Sequence, residues 1–192
     1  MSNKVQPRHP HLLRRDDTVV IAVDLQESLL RLVHQPEALT KRLQFILSAA
    51  QILGIPVIAT TQNVGRLGGI PEDLASVLYD AEATIIDKMT FSCCGSDQFL
   101  HTVQRLGRKQ ALIIGVETHI CIAQTAMDLT TYGYQSHVAA DAVSSRTLEL
   151  HKLGMERIRD SAVLPCAAEA AIYELLGEAG TPEFRAILPL VK

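Results

Sequence analysis

The segment TVVIAVD at residues 18–24 decides the class of fold. It is a continuous apolar run, rich in β-branched residues, and it ends in a carboxylate. Such uninterrupted apolar runs are typical of strands that are buried on both faces, as in parallel sheets covered by helices. The segment therefore predicts a central parallel strand with Asp24 at its carboxyl end.

Around this segment the chain alternates strands with helices. Further strands are expected at residues 57–61, 84–87, 111–115, 135–140 and 162–164, and helices at 37–53, 72–79, 96–106, 119–132, 147–159, 167–176 and 182–188, with a Gly-rich loop at 62–71. This alternation predicts βαβ units and a mostly parallel sheet covered on both faces. A length of 192 residues fits one domain. We predict an α/β domain at residues 18–192, preceded by an N-terminal arm at residues 1–17.

The bulk properties favour a cytoplasmic protein. A net charge of −3 and a pI of about 6.1 do not suggest a nucleic-acid or anionic-membrane partner. The arm carries four basic residues among Pro and His and is expected to be solvated, with a nucleic-acid-binding arm as the alternative: Lys4, Arg8, Arg14 and Arg15. No signal peptide or bilayer-spanning run is expected, and four cysteines do not form a disulfide framework.

Three reactive side chains fall at or just after strand ends: Asp24, Lys88 and Cys121. In doubly wound sheets, ligands bind outside the carboxyl ends of the strands. A cysteine in the first turn of a helix, near a lysine, is expected to favour the thiolate, and a carboxylate can accept the thiol proton. Each residue alone also has an ordinary interpretation, as a turn cap, a solvated lysine and a small core residue.

The local sequence then resembles a known family. GVETHICIAQTAMDL at residues 115–129 resembles the nucleophile segment of the isochorismatase-like cysteine hydrolases, and VDLQ at 23–26 and KMTFS at 88–92 resemble the other two catalytic blocks. Their order and spacing match over residues 18–190. TTQNVGRLGG at 60–69 and DAVSSR at 141–146 look most similar to the isochorismatase-domain-containing subgroup.

The resemblance implies a fold and a set of roles. The family's sheet is three-layered and doubly wound, with six strands in the order 3-2-1-4-5-6. By carry-over, Cys121 is the nucleophile, Asp24 the general base and later acid, and Lys88 their electrostatic partner. A cis peptide between Val116 and Glu117 is expected to aim the Glu117 amide, with the Cys121 amide, at a developing oxyanion. The family usually forms dimers or larger assemblies, so a homo-oligomer is expected.

Other residues beside the three blocks are expected to line the pocket. These are Gln26, Gln62, Phe91 and Glu117, and for the polar ones side chains bonded to loop backbone are the alternative. Zinc-dependent relatives carry an Asp and a His pair after the second strand, where this chain has Gln62 and Asn63, so neither a metal nor another cofactor is expected. His119 points away from Cys121 around a helix and is expected in the pocket or an interface.

We therefore predict a cysteine hydrolase that cleaves a small amide or a related C–N or ester bond. The main alternative is an inactive interaction or scaffold protein that keeps the fold. Isochorismate itself is less favoured, because that vinyl-ether chemistry is usually handled without the cysteine. A redox thiol protein lacks support from a CxxC motif, and a nucleotide-binding Rossmann domain is disfavoured because DLQES, not GxGxxG, follows the first strand.

Overall fold

Parallel strands form a single sheet in the computed structural model, which describes residues 8–191. Within those residues the strands are β1 (Thr18–Val23), β2 (Val57–Gln62), β3 (Thr84–Lys88), β4 (Gln110–Val116), β5 (Gln135–Ser144) and β6 (Leu164–Cys166). Their order across the sheet is β3-β2-β1-β4-β5-β6, and every neighbouring pair is parallel. The predicted architecture, including the strand order, is confirmed.

Helices cover both faces of the sheet. They are α1 (Glu27–Leu30), α2 (Pro36–Leu53), α3 (Val64–Leu67), α4 (Glu72–Asp80), α5 (Asp97–Arg105), α6 (Ala123–Thr131), α7 (Leu148–Arg159), α8 (Ala168–Leu176) and α9 (Pro182–Ile187). Short 3-10 turns lie at Cys93–Gly95 and Leu188–Val191, and a π-helical turn at Thr118–Ile122 leads into α6. The described helices include none that is both long and apolar enough to span a bilayer.

The continuous apolar sequence of β1 follows from its burial on two sides. Val20 and Ala22 pack into a core with α2, α4 and α8, whereas Val19, Ile21 and Val23 pack into a second core with α5, α6 and α7. Because successive strand residues point to opposite faces, both sets must be apolar. The result is a three-layer domain with β1 at its centre.

Gly115 allows β1 and β4 to approach each other closely beside the carboxyl end of β1. It has φ +114, and a Cβ atom there would lie 2.1 Å from the Val23 carbonyl oxygen. Only glycine fits both the backbone conformation and this distance. Gly115 pairs with Val23, so the close approach lies directly beside Asp24 and just before the turn that carries Cys121.

Three local predictions differ in detail from the structure. The expected loop at 62–71 contains α3, whose Val64 N–H donates to Asp87 Oδ1 at 2.9 Å, a cap supplied by another strand. The sixth strand lies two residues later than predicted, and its Pro165 is tolerated because β6 is an edge strand. The helix expected at 119–132 begins with the π-helical turn, where Ile122 N–H donates to Glu117 O.

The described part of the N-terminal arm exposes Arg8, Arg14 and Arg15 to solvent, but it also packs against the domain. Leu13 is fully buried in the core with α2 and α8. The Arg8 side chain donates to Glu174 O and Arg15 Nε donates to Leu53 O. These contacts hold residues 8–17 against the domain, whereas Lys4 lies outside the described residues, and the domain limits at 18–192 stay a prediction.

Candidate active site

Asp24 follows the last residue of β1 and is fully buried. Its backbone adopts φ +53, which turns the chain sharply out of the strand. Oδ2 accepts from Lys88 Nζ at 2.9 Å, and Oδ1 accepts from the Thr60 hydroxyl at 2.8 Å. The Asp24 N–H in turn donates to Thr60 Oγ1 at 3.1 Å. The carboxylate is therefore held in one orientation by an ion pair and a hydroxyl.

Lys88 ends β3, and its ammonium group is removed from solvent. Nζ donates to Asp24 Oδ2, to Gln62 Oε1 at 2.7 Å and to Thr90 O at 3.1 Å. These three bonds match the three donors of an ammonium group. Both side chains of the Lys88–Asp24 ion pair have zero exposure. Such a pair is electrostatically strong because little water screens it.

Cys121 lies in the π-helical turn before α6 and is 7% exposed. Burial raises the pKa of its thiol, the negative charge of Asp24 raises it further, and Lys88 opposes both. The influence of Asp24 on the thiol pKa places its carboxylate near the thiol. The expectation of a thiolate was wrong, because burial and Asp24 outweigh Lys88. The structure instead favours a protonated thiol beside a carboxylate that can accept its proton.

The peptide bond between Val116 and Glu117 is cis. The Glu117 carboxylate accepts from the Arg146 N–H at 3.0 Å and from Arg146 Nε at 3.1 Å. These bonds tie the segment before the π-helical turn to the chain after β5. The role of the Glu117 amide at an oxyanion stays a prediction.

The structure favours the backbone-bonded interpretation for Gln26, whereas Gln62 bonds both Lys88 and the backbone. Gln26 is fully buried; its Nε2 donates to Gln62 O at 3.2 Å and Gly68 O at 2.6 Å, and its Oε1 accepts from Gln62 N–H at 2.6 Å. The Gln62 amide accepts from Lys88 and donates to Met89 O at 2.8 Å. The two amides therefore hold the loops around Lys88 in place through hydrogen bonds. Phe91 is 57% exposed, and its role as a pocket residue stays a prediction.

Thr60 is a site residue that sequence analysis missed. It lies in β2, is fully buried, and bonds both the carboxylate and the N–H of Asp24. Its Oγ1 also lies 3.8 Å from Cys93 Sγ. The signal was the pair of threonines in the buried strand VIATTQ, since buried hydroxyls need a partner. His119 bonds Ser145 Oγ through Nδ1 at 2.9 Å.

Within residues 8–191, no three His, Cys, Asp or Glu side chains cluster in a way suited to a metal ion. The four cysteines, which lie in this range, are free thiols. The absence of a metal or another cofactor stays a prediction.

Comparison with known proteins decides the family. The isochorismatase domain model matches residues 18–170. The chain belongs to the isochorismatase family. The predicted resemblance is thereby confirmed, and the matching proteins include isochorismatase domain-containing proteins 1 and 2 of vertebrates.

Relatives in this family match along nearly the whole chain. The secreted isochorismatase effector Isc1 of Phytophthora sojae is 38% identical over 177 residues, covering 91% of this chain and 84% of its own. MAR1 ribonuclease from Caenorhabditis elegans superposes with a TM-score of 0.88 at 27% identity, covering 94% of this chain and 92% of its own. The YcaC gene product of Escherichia coli is described as an octameric hydrolase of unknown specificity. It superposes with a TM-score of 0.88 at 21% identity, covering 96% of this chain and 92% of its own. The last likeness shows the fold alone, whereas family membership supports a hydrolase activity.

Proposed function

We propose that this isochorismatase-family chain is a cysteine hydrolase that cleaves a small amide, or a related C–N or ester bond, through a thioester at Cys121. Asp24 is the general base and later the general acid, and Lys88 is the electrostatic partner of both. The observation that carries the proposal is the buried Lys88–Asp24 ion pair, because both of its charges act on the pKa of the Cys121 thiol. A thiol with a raised pKa beside a buried ion pair at the carboxyl ends of strands is typical of a catalytic centre.

The first half of the reaction forms the thioester. As Cys121 Sγ attacks the substrate carbonyl carbon, its proton passes to Asp24 Oδ, and the carbonyl π electrons move onto oxygen. Collapse of the tetrahedral intermediate breaks the C–N or C–O bond, and the leaving group takes the proton from Asp24. Coupling proton transfer to attack suits a thiol whose pKa is raised, because no free thiolate has to accumulate.

The second half hydrolyses the thioester. Asp24 accepts a proton from water as the water oxygen attacks the thioester carbon, and the C–S bond breaks with return of that proton to Cys121. The products are a carboxylic acid and the free thiol. Lys88 is held by Asp24, Gln62 and Thr90, and its ammonium group orients the carboxylate before each step. Backbone N–H groups of Glu117 and Cys121 are proposed to stabilise the oxyanion, a contribution of about 2.7–4 kcal/mol per donor in other enzymes.

The alternative of an inactive scaffold is not favoured, because a scaffold has no need of a desolvated ion pair. Such pairs are weak contributors to stability compared with apolar packing of the same volume. RNA is a second candidate substrate only through the name of the Caenorhabditis elegans neighbour. The net charge of −3 argues against a polyanionic substrate.

Intact-protein mass spectrometry tests the proposal. Wild type, Cys121→Ala and Cys166→Ala are mixed with a panel of small amides, esters and aldehydes, and with a short RNA as a control. Cys166 is the matched control because it is a free thiol that is more exposed than Cys121. We expect an acyl adduct in wild type and Cys166→Ala and none in Cys121→Ala. Turnover that survives in Cys121→Ala would contradict the thioester mechanism.

We also propose a homo-oligomer in the cytoplasm that uses no cofactor. The octameric state of the Escherichia coli neighbour supports self-association, and the four free thiols support a reducing compartment. Light scattering and cell fractionation test these two points.

A further inference from the structure

A second cavity lies beyond the carboxyl end of β5, and we call it the β5 cavity. Its volume is about 340 Å³, within the range of small-molecule sites. His34, Arg42, Asp141 and His151 supply its titratable groups, from the loop before α2, from α2, from β5 and from α7. None of the three proposed catalytic residues lines it. It therefore is a separate site at the edge of the sheet where such folds bind ligands.

The balance of charge in the β5 cavity favours an anion. Asp141 is its one acid, and both oxygens of that carboxylate are engaged: Oδ2 lies 3.3 Å from Arg42 Nε, and Oδ1 accepts from the Ala168 N–H at 2.7 Å. The Asp141 charge is thus offset by a guanidinium and by the N-terminus of α8. Arg42 uses only Nε in this contact, and a guanidinium carries four further N–H donors.

Two imidazoles complete the lining. His151 Nδ1 lies 3.0 Å from Thr118 Oγ1, which leaves Nε2 as the ring nitrogen available for a ligand. Burial lowers the pKa of His151, and the charge of His34 lowers it further, so the two rings are close enough to repel each other when protonated. An anion between them offsets that repulsion.

We propose that the β5 cavity binds a small multivalent anion, of the phosphate or polycarboxylate class, between His34, His151 and Arg42. Because burial holds the pKa of His151 below its ordinary value, an anion beside it favours the charged ring, so anion affinity rises as pH falls. The bond from His151 to Thr118 connects the cavity to the first residue of the turn that carries Cys121. The proposal does not depend on the hydrolase reaction.

Calorimetric titration with inorganic phosphate tests it, at constant ionic strength and at about pH 6 and about pH 8. We expect saturable binding that is tighter at the lower pH, with proton uptake measured as a difference between two buffers of unlike ionisation heat. Arg42→Gln and His151→Gln should each weaken binding roughly tenfold, the loss typical of one charge-assisted hydrogen bond. Arg42 is exposed, so its variant is expected to fold normally.

Two further variants distinguish binding in the β5 cavity from binding elsewhere on the protein. His101→Gln, an exposed histidine of α5, should bind phosphate like wild type, and Cys121→Ser should do so too. The proposal is overturned if wild type shows no saturable binding, or if Arg42→Gln and His151→Gln bind phosphate as tightly as wild type. It is equally overturned if Cys121→Ser alone abolishes binding, since the anion would then sit in the catalytic centre.

Discussion

Removing the ammonium group of Lys88 should destabilise the fold more than any exposed charge substitution. In Lys88→Met the Asp24 carboxylate stays buried with only the Thr60 hydroxyl and its own turn around it, and Gln62 Oε1 loses its donor. Breaking a buried pair by removing one partner lowers the free energy of unfolding by about 3–5 kcal/mol. The total free energy of unfolding of a domain of this kind is roughly 5–15 kcal/mol, so the variant should remain folded but be much less stable than wild type.

Urea unfolding measures this loss of stability when wild type is compared with Lys88→Met and with Lys41→Met, a control at an exposed lysine. The control should change stability by less than about 0.5 kcal/mol. Adding Asp24→Asn to Lys88→Met should recover part of the loss, because no unpaired charge then remains buried. A loss no larger than that of Lys41→Met, or no recovery in the double variant, would refute the electrostatic reasoning.

Three further predictions follow from other buried groups. Burial raises the pKa of Cys93 to about 11, so the folded state holds this proton more tightly than the unfolded chain does. The free energy of unfolding should therefore fall as pH rises above about 9. Urea titrations should show a shallower fall for Cys93→Ala. Burial lowers the pKa of His137 from 6.5 to about 4. The free energy of unfolding should therefore fall by about 3 kcal/mol in total as pH drops from about 6.5 to about 4. His137→Gln should remove this dependence on pH. Thr60→Val should slow acylation of Cys121 about tenfold with Thr60→Ser close to wild type, measured by adduct formation, because only the hydroxyl orients Asp24; equal rates in the two Thr60 variants would contradict this role.

The fold was predictable because its main signals are local. The buried run at β1, the helical spacing in α2 and the stops at Gly54 and Gly107 define the alternation without any knowledge of contacts. The errors came from long-range partners. α3 depends on a cap from Asp87 on another strand, and the position of β6 depends on the tolerance of an edge strand for Pro165.

The sequence was sufficient to predict which residues form the candidate site, but not whether the Cys121 thiol is protonated. Asp24 and Lys88 end strands that lie two positions apart in the sheet, so strand order alone brings them to one edge. The protonation of the Cys121 thiol depends on burial and on the nearby charge of Asp24, which no sequence pattern specifies. Thr60 was missed for a similar reason, since its partner is set by the pairing of β1 with β2.

The most direct test of the proposed centre is the titration of Cys121 in wild type and Asp24→Asn. Ultraviolet thiolate absorbance, corrected with Cys121→Ala versions of both proteins, gives the thiol pKa. Since the negative charge of Asp24 raises this pKa and Lys88 lowers it, we predict a lower thiol pKa in Asp24→Asn together with loss of acylation. An unchanged or higher thiol pKa in Asp24→Asn, or undiminished acylation, would contradict the assignment of Asp24 as the base for Cys121.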